Sequence, residues 1–379
     1  MRVLLVTHEA SRSGAPRVAV LVARSLVEQG HRVHVVSRRP GPLLEDFGAV
    51  APTALEPFNR VRRRLWSVPG GGWFAHLVEV LLVVATLLRR RPDLVYVNSA
   101  AAAVYLRPAA WLRARQLLHV HESGPLTARF LHAARTGPEL AGVTLVACSP
   151  SVRAELAQLT GRGPAGIHLL PSVPDDAEVL RLSTGSCDVV YAHDDLVVGC
   201  CGAVEHRKGA DQWVAVATAV RQALPTAAIR FVWVGPVMSP VAADEAAAVE
   251  FVGAAANPYP HLKRFDVLTL PSRDDPFPLV VLEAMLLGTP VVAFGVGGVP
   301  QQVGDTGRVV PPGDISAFAN EVVALLTNTE VRLRAGAASQ ARVMALYSTT
   351  AFSRALVALI EAPDLGGASA AARTLRART

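Results

Sequence analysis

The chain has 379 residues, of which 51% are hydrophobic and 18% charged, a composition that excludes a disordered chain and provides apolar material for two cores. Lys and Arg number 37 against 31 for Asp and Glu, so the formal charge is +6, spread along the sequence; it permits an anionic ligand and does not call for a nucleic acid. The four cysteines, Cys148, Cys187, Cys200 and Cys201, show no CxxC or Cys/His spacing, which argues against a zinc site or disulfide framework and for reduced thiols in a cytoplasmic protein.

The opening run MRVLLVTHEAS is too short for a secretory signal and is followed by polar residues and Gly. Arg2 to Thr7 predicts a strand, Pro16 to Gln29 a helix with Pro at its start and Gly30 after its end, and Arg32 to Val36 a second strand. Leu77 to Leu88 is the longest apolar stretch; interrupted by Glu79 and shorter than a membrane span, it predicts a buried helix. Strands are then expected at Leu94 to Asn98, Leu117 to Val120, Thr144 to Ala147 and Ile167 to Leu170. A second series follows at Leu196 to Cys201, Ile229 to Val234, Val267 to Leu270, Pro290 to Ala293 and Arg308 to Val310. Helices are expected between them, notably Gly209 to Ala223 and Leu279 to Leu287. Alternation of this kind implies parallel sheets covered on both faces. Pro171 to Asp195, rich in Pro, Asp, Ser and Gly, interrupts the alternation as an interdomain linker would. The small, polar and basic tail, 366–379, is expected to be disordered.

Three segments carry candidate chemistry. Ser13-Gly14-Ala15 stands immediately before the first helix, where Gly14 allows close backbone approach and the helix start favours an anion. It is half a dinucleotide fingerprint, and Ser37-Arg38-Arg39 replaces the acidic residue that a nicotinamide site would need after strand two. In GAVEHRKGAD, Arg207 and Lys208 emerge from a strand-to-helix loop and suit a diphosphate, although the GxxxxGK[ST] order is absent. The third segment, FDVLTLPSRDDPFPLVVLEAMLLGTPVVAFGVGGVP, is the most specific. Asp275 precedes a helix that begins near Pro278, and Glu283 lies eight residues on, inside an otherwise apolar helix where a carboxylate needs a partner. Amides near Phe277, Leu279 and Val280 are placed to receive an anion, and Gly295 to Gly298 adds close backbone access.

These residues resemble the family-four retaining glycosyltransferases of the GT-B fold. Their E-x7-E pattern, typically E-PFG-LVVLEAM-x-G-x-PVV with a following GG-xPE loop, corresponds to DPFPLVVLEAMLLGTPVVAFGVGGVPQ here. The resemblance extends to THEASRSGAPRVAVLVARSLVEQGHRV, LLHVHESG, LVACSPSVRAEL and GAVEHRKGADQW, and so covers nearly the whole chain. It implies two Rossmann-like parallel-sheet domains facing a central cleft. The first, 1–172, would bind the acceptor, and 173–195 would be the linker. The second, 196–347, would bind a nucleotide sugar, and a helix at 348–365 would cross back to the first domain. It further implies that Glu283 holds ribose hydroxyls, that Asp275 holds hydroxyls of the donor sugar, that Arg207 and Lys208 neutralise the diphosphate, and that His121 lies near the reacting centre. The departures are Asp275 where the family has Glu, Pro278 for Gly, Ala203 for Arg and Gln301 for Glu.

The resulting expectation is a retaining hexosyl- or glycosyltransferase that uses a UDP- or GDP-sugar and needs no metal or other cofactor. No DxD stands where a metal-bound diphosphate would sit: Asp175-Asp176 and Asp194-Asp195 fall in the linker stretch. The acceptor class is open among small molecules, glycans and lipid-linked sugars. The basic runs Arg60 to Arg64 and Arg89 to Arg91 are able to attract anionic headgroups, so peripheral contact with the inner face of a membrane is open as well. The alternatives are a catalytically silent GT-B partner of another transferase, and another GT-B enzyme such as a phosphorylase or sugar-nucleotide epimerase.

Overall fold

The computed structural model describes residues 1–56, 71–134, 140, 142–187, 189–192, 194–239 and 249–362. The chain forms two compact units, one of residues 1–172 together with 352–379 and one of residues 173–351.

In the first unit the elements run β1 (Arg2–Thr7), α1 (Gly14–Glu28), β2 (Arg32–Ser37), α2 (Leu44–Val50), β3 (Thr53–Leu55), α3 (Gly71–Arg90) and β4 (Leu94–Asn98). They continue with α4 (Leu106–Trp111), β5 (Arg115–Val120), α5 (Gly124–Ala133), β6 (Val143–Ala147), α6 (Pro150–Thr160) and β7 (His168–Leu169). The seven strands form one sheet in the order β3-β2-β1-β4-β5-β6-β7, every neighbouring pair parallel. Leu4, Leu5, Val6, Val95, Val97, Leu117 and Leu118 are fully buried, as continuous apolar strands must be when helices cover both faces. Because all strands run one way, every loop that follows a strand opens on the same edge. At that edge Arg38, just after β2, donates to Glu56, Glu79 and the Ala101 carbonyl, and Tyr105 donates to Glu56. This buried cation is held between two carboxylates and raised above its usual pKa range, the neighbouring charges outweighing its desolvation.

The second unit contains α7 (Asp176–Leu182), β8 (Leu196–Cys201), α8 (Ala210–Ala223), β9 (Ile229–Val234), β10 (Glu250–Gly253), α9 (Tyr259–Arg264) and β11 (Val267–Leu270). There follow α10 (Leu279–Leu286), β12 (Val291–Phe294), α11 (Val299–Val303), β13 (Arg308–Val310), α12 (Ile315–Thr327) and α13 (Thr329–Leu346). The sheet order is β10-β9-β8-β11-β12-β13, again parallel throughout. Trp213 of α8 packs edge-on to Trp233 of β9 with centroids 5.2 Å apart, and its Nε1 donates to Thr269 Oγ1 on β11 at 2.8 Å. The indole thereby ties a covering helix to two strands while its one polar group is satisfied.

Two readings of the sequence need correction. The stretch 173–195 belongs to the second unit and carries α7 with a fully buried Val179. Its Asp residues cap and anchor: Asp175 Oδ1 accepts from Glu178 N at 3.1 Å, and Asp176 accepts from the Thr349 hydroxyl at 2.8 Å and its amide at 3.1 Å. The helix expected to be buried at 77–88 is the longer α3, and it buries only one side: Ala75, Val83 and Leu87 are covered while Leu77, Leu81 and Leu88 are exposed. Thr349 opens the last helix, α14 (Thr349–Glu361), which from Phe352 onward belongs to the first unit. There Ser353 Oγ meets Ser25 Oγ at 2.6 Å and Arg115 donates to the Ile360 carbonyl at 2.8 Å. The tail 366–379 lies outside the described residues.

Candidate functional site

In the second unit, the loop after β8 and the loop after β11 are clasped together. Gly209, at φ +75°, sits where a Cβ would stand 1.9 Å from the Pro271 carbonyl oxygen, so only glycine permits this approach. Arg273 fastens the same junction: its amide donates to the Arg207 carbonyl at 2.9 Å and its guanidinium grips Asp211 through two bonds of 2.7 and 2.6 Å. The consequence is a contact between two residues that the sequence singled out separately. Lys208 Nζ donates to Asp275 Oδ2 at 2.5 Å, and Ser272 Oγ donates to the same oxygen at 3.3 Å. Asp275 is buried and Lys208 nearly so. Arg207 is the outer cation, half exposed, donating to Glu205 Oε1 at 2.8 Å and to the Asp274 carbonyl at 2.9 Å.

Beyond Asp275 the chain turns into α10. Pro278 is its N-cap residue and offers no side-chain cap, so the amides of Leu279 and Val280 open the first turn without intrahelical acceptors. The approach to this helix start is fixed at three carbonyls, those of Asp275, Pro276 and Pro278. Gly297, at φ +52°, packs against the Asp275 oxygen, where a Cβ would lie 1.9 Å away. The Gly298 amide donates to Pro276 at 2.9 Å, and Gln302 Nε2 donates to Pro278 at 3.0 Å. Phe277 is buried with its ring 6.0 Å from that of Tyr347, whose hydroxyl donates to the Gln301 carbonyl. Glu283 lies in the second turn of α10, 4% exposed among Leu282, Ala284 and Met285.

In the first unit, Asn98 joins two places that the sequence offered independently. Its Nδ2 donates to the Ala15 carbonyl beside Gly14 at 2.8 Å, which leaves Oδ1 to accept from His121 Nε2 at 3.2 Å. His121 Nδ1 accepts from Ser172 Oγ at 3.1 Å. Burial, with His119 and His8 nearby, holds the His121 pKa well below the usual histidine range. The imidazole is therefore neutral with its Nε2 proton engaged, the state of a polar positioning group. Next to it, Glu122 accepts from the amides of His121 and Ala100 and from the Ser99 hydroxyl. Ser99 has φ +141°, a conformation that costs a non-glycine residue on the order of 1–3 kcal/mol and that Glu122 holds in place.

Gly14 is the first residue of α1, behind Ser13 at the N-cap. The loop before it holds a carboxylate of its own: Glu9 Oε1 accepts from Ser11 Oγ at 2.5 Å and Ser13 Oγ at 3.4 Å. His8 and these hydroxyls hold the Glu9 pKa at about 2.

Of the residues marked in the sequence, Arg207, Lys208, Asp275, Phe277, Leu279, Val280 and Glu283 all fall at the carboxyl edge of the second sheet or on the helix leaving it. Gly14 and His121 fall at the carboxyl edge of the first, one residue of Asn98 apart. Asn98, Ser99, Glu122, Ser172 and Gln302 were missed. The signal available for Asn98 was a polar residue ending an apolar strand; Gln302 and Ser172 left none.

Residues 195–328 match the family model described as glycosyl transferases group 1, and residues 12–177 match that of glycosyltransferase family 4. The chain is 27% identical to glycogen synthase of Mycobacterium tuberculosis over an alignment of 384 residues that covers 90% of each protein. It is 30% identical to D-inositol 3-phosphate glycosyltransferase of Segniliparus rotundus over 228 residues, 56% of this chain and 49% of that one. Among solved structures, HepE of Anabaena in complex with UDP and glucose superposes with a TM-score of 0.73 at 20% identity, covering 95% of this chain and 99% of the other. Each half of the chain thus matches a glycosyltransferase family model, a relative aligns along nearly the full length, and the two parallel-sheet units share the GT-B fold.

Proposed function

We propose that this protein transfers a sugar from a nucleoside-diphosphate sugar to an acceptor hydroxyl with retention of anomeric configuration and without a metal ion. The observation that supports it best is the Lys208–Asp275 contact beside the start of α10. A cation, a buried carboxylate and a set of first-turn amides meet there at one sheet edge, the equipment that a sugar diphosphate requires.

In this reading the α10 amides and Lys208 take the phosphates, with Arg207 as the outer cation. Charge accumulates on the diphosphate as the glycosidic bond breaks, and the two cations oppose it where a metal would otherwise be needed. Asp275 accepts from hydroxyls of the donor sugar and Glu283 from those of the ribose. His121, neutral and fixed by Asn98 and Ser172, supplies a polar contact near the reacting carbon instead of a proton shuttle. HepE of Anabaena binds UDP and glucose, which supports a UDP-sugar as the first donor to try. The D-inositol 3-phosphate glycosyltransferase supports a polyol or its phosphate among the acceptors.

The test is a thermal-shift screen of UDP-, GDP-, TDP- and ADP-sugars in the presence of a chelator, since a donor that binds the native state raises its melting temperature. The productive donor is then incubated with candidate polyols, and the anomeric configuration of the product is read by proton NMR. An inverted product would overturn retention. Stabilisation by no donor, or only after metal is restored, would overturn the metal-free donor site.

A further inference from the structure

The outward side of α3 matches nothing in the transfer reaction. The helix is 20 residues, about 30 Å, long. On a helical wheel Trp73, Phe74, Leu77, Leu81 and Leu88 fall within a sector of about 100°, and all five are exposed, Trp73 at 64% and Leu81 at 58%. Ala75, Val83 and Leu87 lie outside that sector and are buried in the protein core. Soluble helices of this kind present polar residues outward; this one presents an apolar stripe with a tryptophan at its first exposed turn.

The stripe continues beyond the helix. Leu88 shares an open pocket of about 450 Å³ with Leu112, Arg91, Arg113, Arg2 and Asp93. Beside it Trp111, the last residue of α4, is 64% exposed. The charge on this border is predominantly positive. Residues 71–93 and 106–115 carry Arg89, Arg90, Arg91, Arg107, Arg113 and Arg115 but only two carboxylates. Of these, Glu79 is buried against Arg38, and Asp93 is engaged by Arg2 at 2.8 Å.

We infer that this face docks the protein on a bilayer rich in anionic phospholipid. The stripe of α3 and Trp111 would enter the boundary between headgroups and acyl chains, with Arg91 and Arg113 on the headgroup phosphates. An apolar stripe flanked by tryptophans and by unmatched arginines is the pattern of a helix lying in the membrane interface. A second copy of the chain is the poorer occupant, because a twofold contact through this face would bring arginines toward arginines, and the one exposed carboxylate of residues 71–93 and 106–115, Asp93, is already engaged by Arg2.

The experiment is co-sedimentation of the full chain with vesicles of phosphatidylcholine alone and of phosphatidylcholine mixed with phosphatidylglycerol, at low and high salt. Binding is expected on the mixed vesicles, weaker on the neutral ones, and reduced by salt. Leu81→Asp with Leu88→Asp should cut partitioning at least tenfold, with the melting temperature kept because both residues are more than half exposed. Arg91→Ala and Arg113→Ala should each cut it about fivefold, and they test the same face should the aspartate variant fail to fold. Absence of binding to mixed vesicles, or binding that the arginine variants leave unchanged, overturns the inference. So does a dimer of the parent chain that Leu81→Asp splits, since that assigns the face to a second copy.

Discussion

Lys208 Nζ lies 2.5 Å from Asp275 Oδ2, so the cation meant for a leaving diphosphate and the carboxylate meant for the donor sugar are partners before any donor is present. Truncating either one leaves the other largely buried and uncompensated, which is the expensive way to break such a pair.

Lys208→Ala should therefore lower kcat by roughly a hundredfold or more, about 2.7 kcal/mol, the scale of losing one preorganised charge-stabilising donor. Binding of a nucleoside monophosphate, which lacks the second phosphate, should suffer much less. Because Lys208 and Asp275 touch, the stability losses of Lys208→Ala and Asp275→Asn should not add in the double variant. Activity within about threefold of the parent at saturating donor would end the leaving-group role.

Glu283→Gln keeps the shape of a side chain that is 4% exposed and removes its charge. Donor affinity should fall by about 1.5–3 kcal/mol, the range for a hydrogen bond to an ionised group. Calorimetric titration with the nucleoside diphosphate measures this directly, and an unchanged affinity would refute the ribose contact.

Several strands were legible to the residue. Leu94–Asn98, Leu196–Cys201, Ile229–Val234 and Val267–Leu270 are apolar runs closed by loops, and burial on both faces leaves such runs little freedom of register. The strands that escaped, Thr53–Leu55 and Glu250–Gly253, are short, lie at sheet edges and are only partly buried, so their sequences carry no run to notice. In α3, apolar residues on every side hid which side faces out. At the site, Asp275 and Glu283 were visible because their spacing belongs to one helix and its entry. Asn98 and Gln302 were not, because each acts through carbonyls and rings that only the fold brings near, from Ala15 and His121 in one case and from Pro278 in the other.

Gly297→Ala tests how firmly Asp275 is placed. An alanine Cβ would stand 1.9 Å from the Asp275 carbonyl and would occupy a left-handed conformation at φ +52°. The strain, on the order of 1–3 kcal/mol, is relieved most directly by moving the Asp275–Phe277 segment. A loss of donor affinity is expected together with a lowered denaturation midpoint, whereas Gly48→Ala, whose added Cβ meets nothing within 4 Å, is the control for the substitution itself. An unaltered donor affinity in Gly297→Ala would show that the position of Asp275 does not depend on this contact.

Acid should destabilise the first unit through His119. The ring is fully buried, its Nδ1 accepting from the Tyr96 hydroxyl at 2.8 Å and its Nε2 donating to the Leu170 carbonyl at 3.0 Å. Neither nitrogen has room for a second proton without losing a bond, and burial pushes the pKa down to about 4. An unfolded chain titrates the same ring near 6.5. Above about pH 6.5 both states hold it neutral, and its contribution to stability is flat. Between about 6.5 and 4 the unfolded chain binds a proton that the folded chain refuses, so stability falls as the pH falls, by up to about 3 kcal/mol from this residue. His121, depressed in the same direction, steepens the decline. Denaturant midpoints measured across this interval should track it. In His119→Gln, where no ring titrates, the fold should be weaker at neutral pH through imperfect replacement of two buried hydrogen bonds, yet its midpoint should fall less steeply toward pH 4. Equal slopes in the parent and the variant would remove His119 as a source of the acid sensitivity.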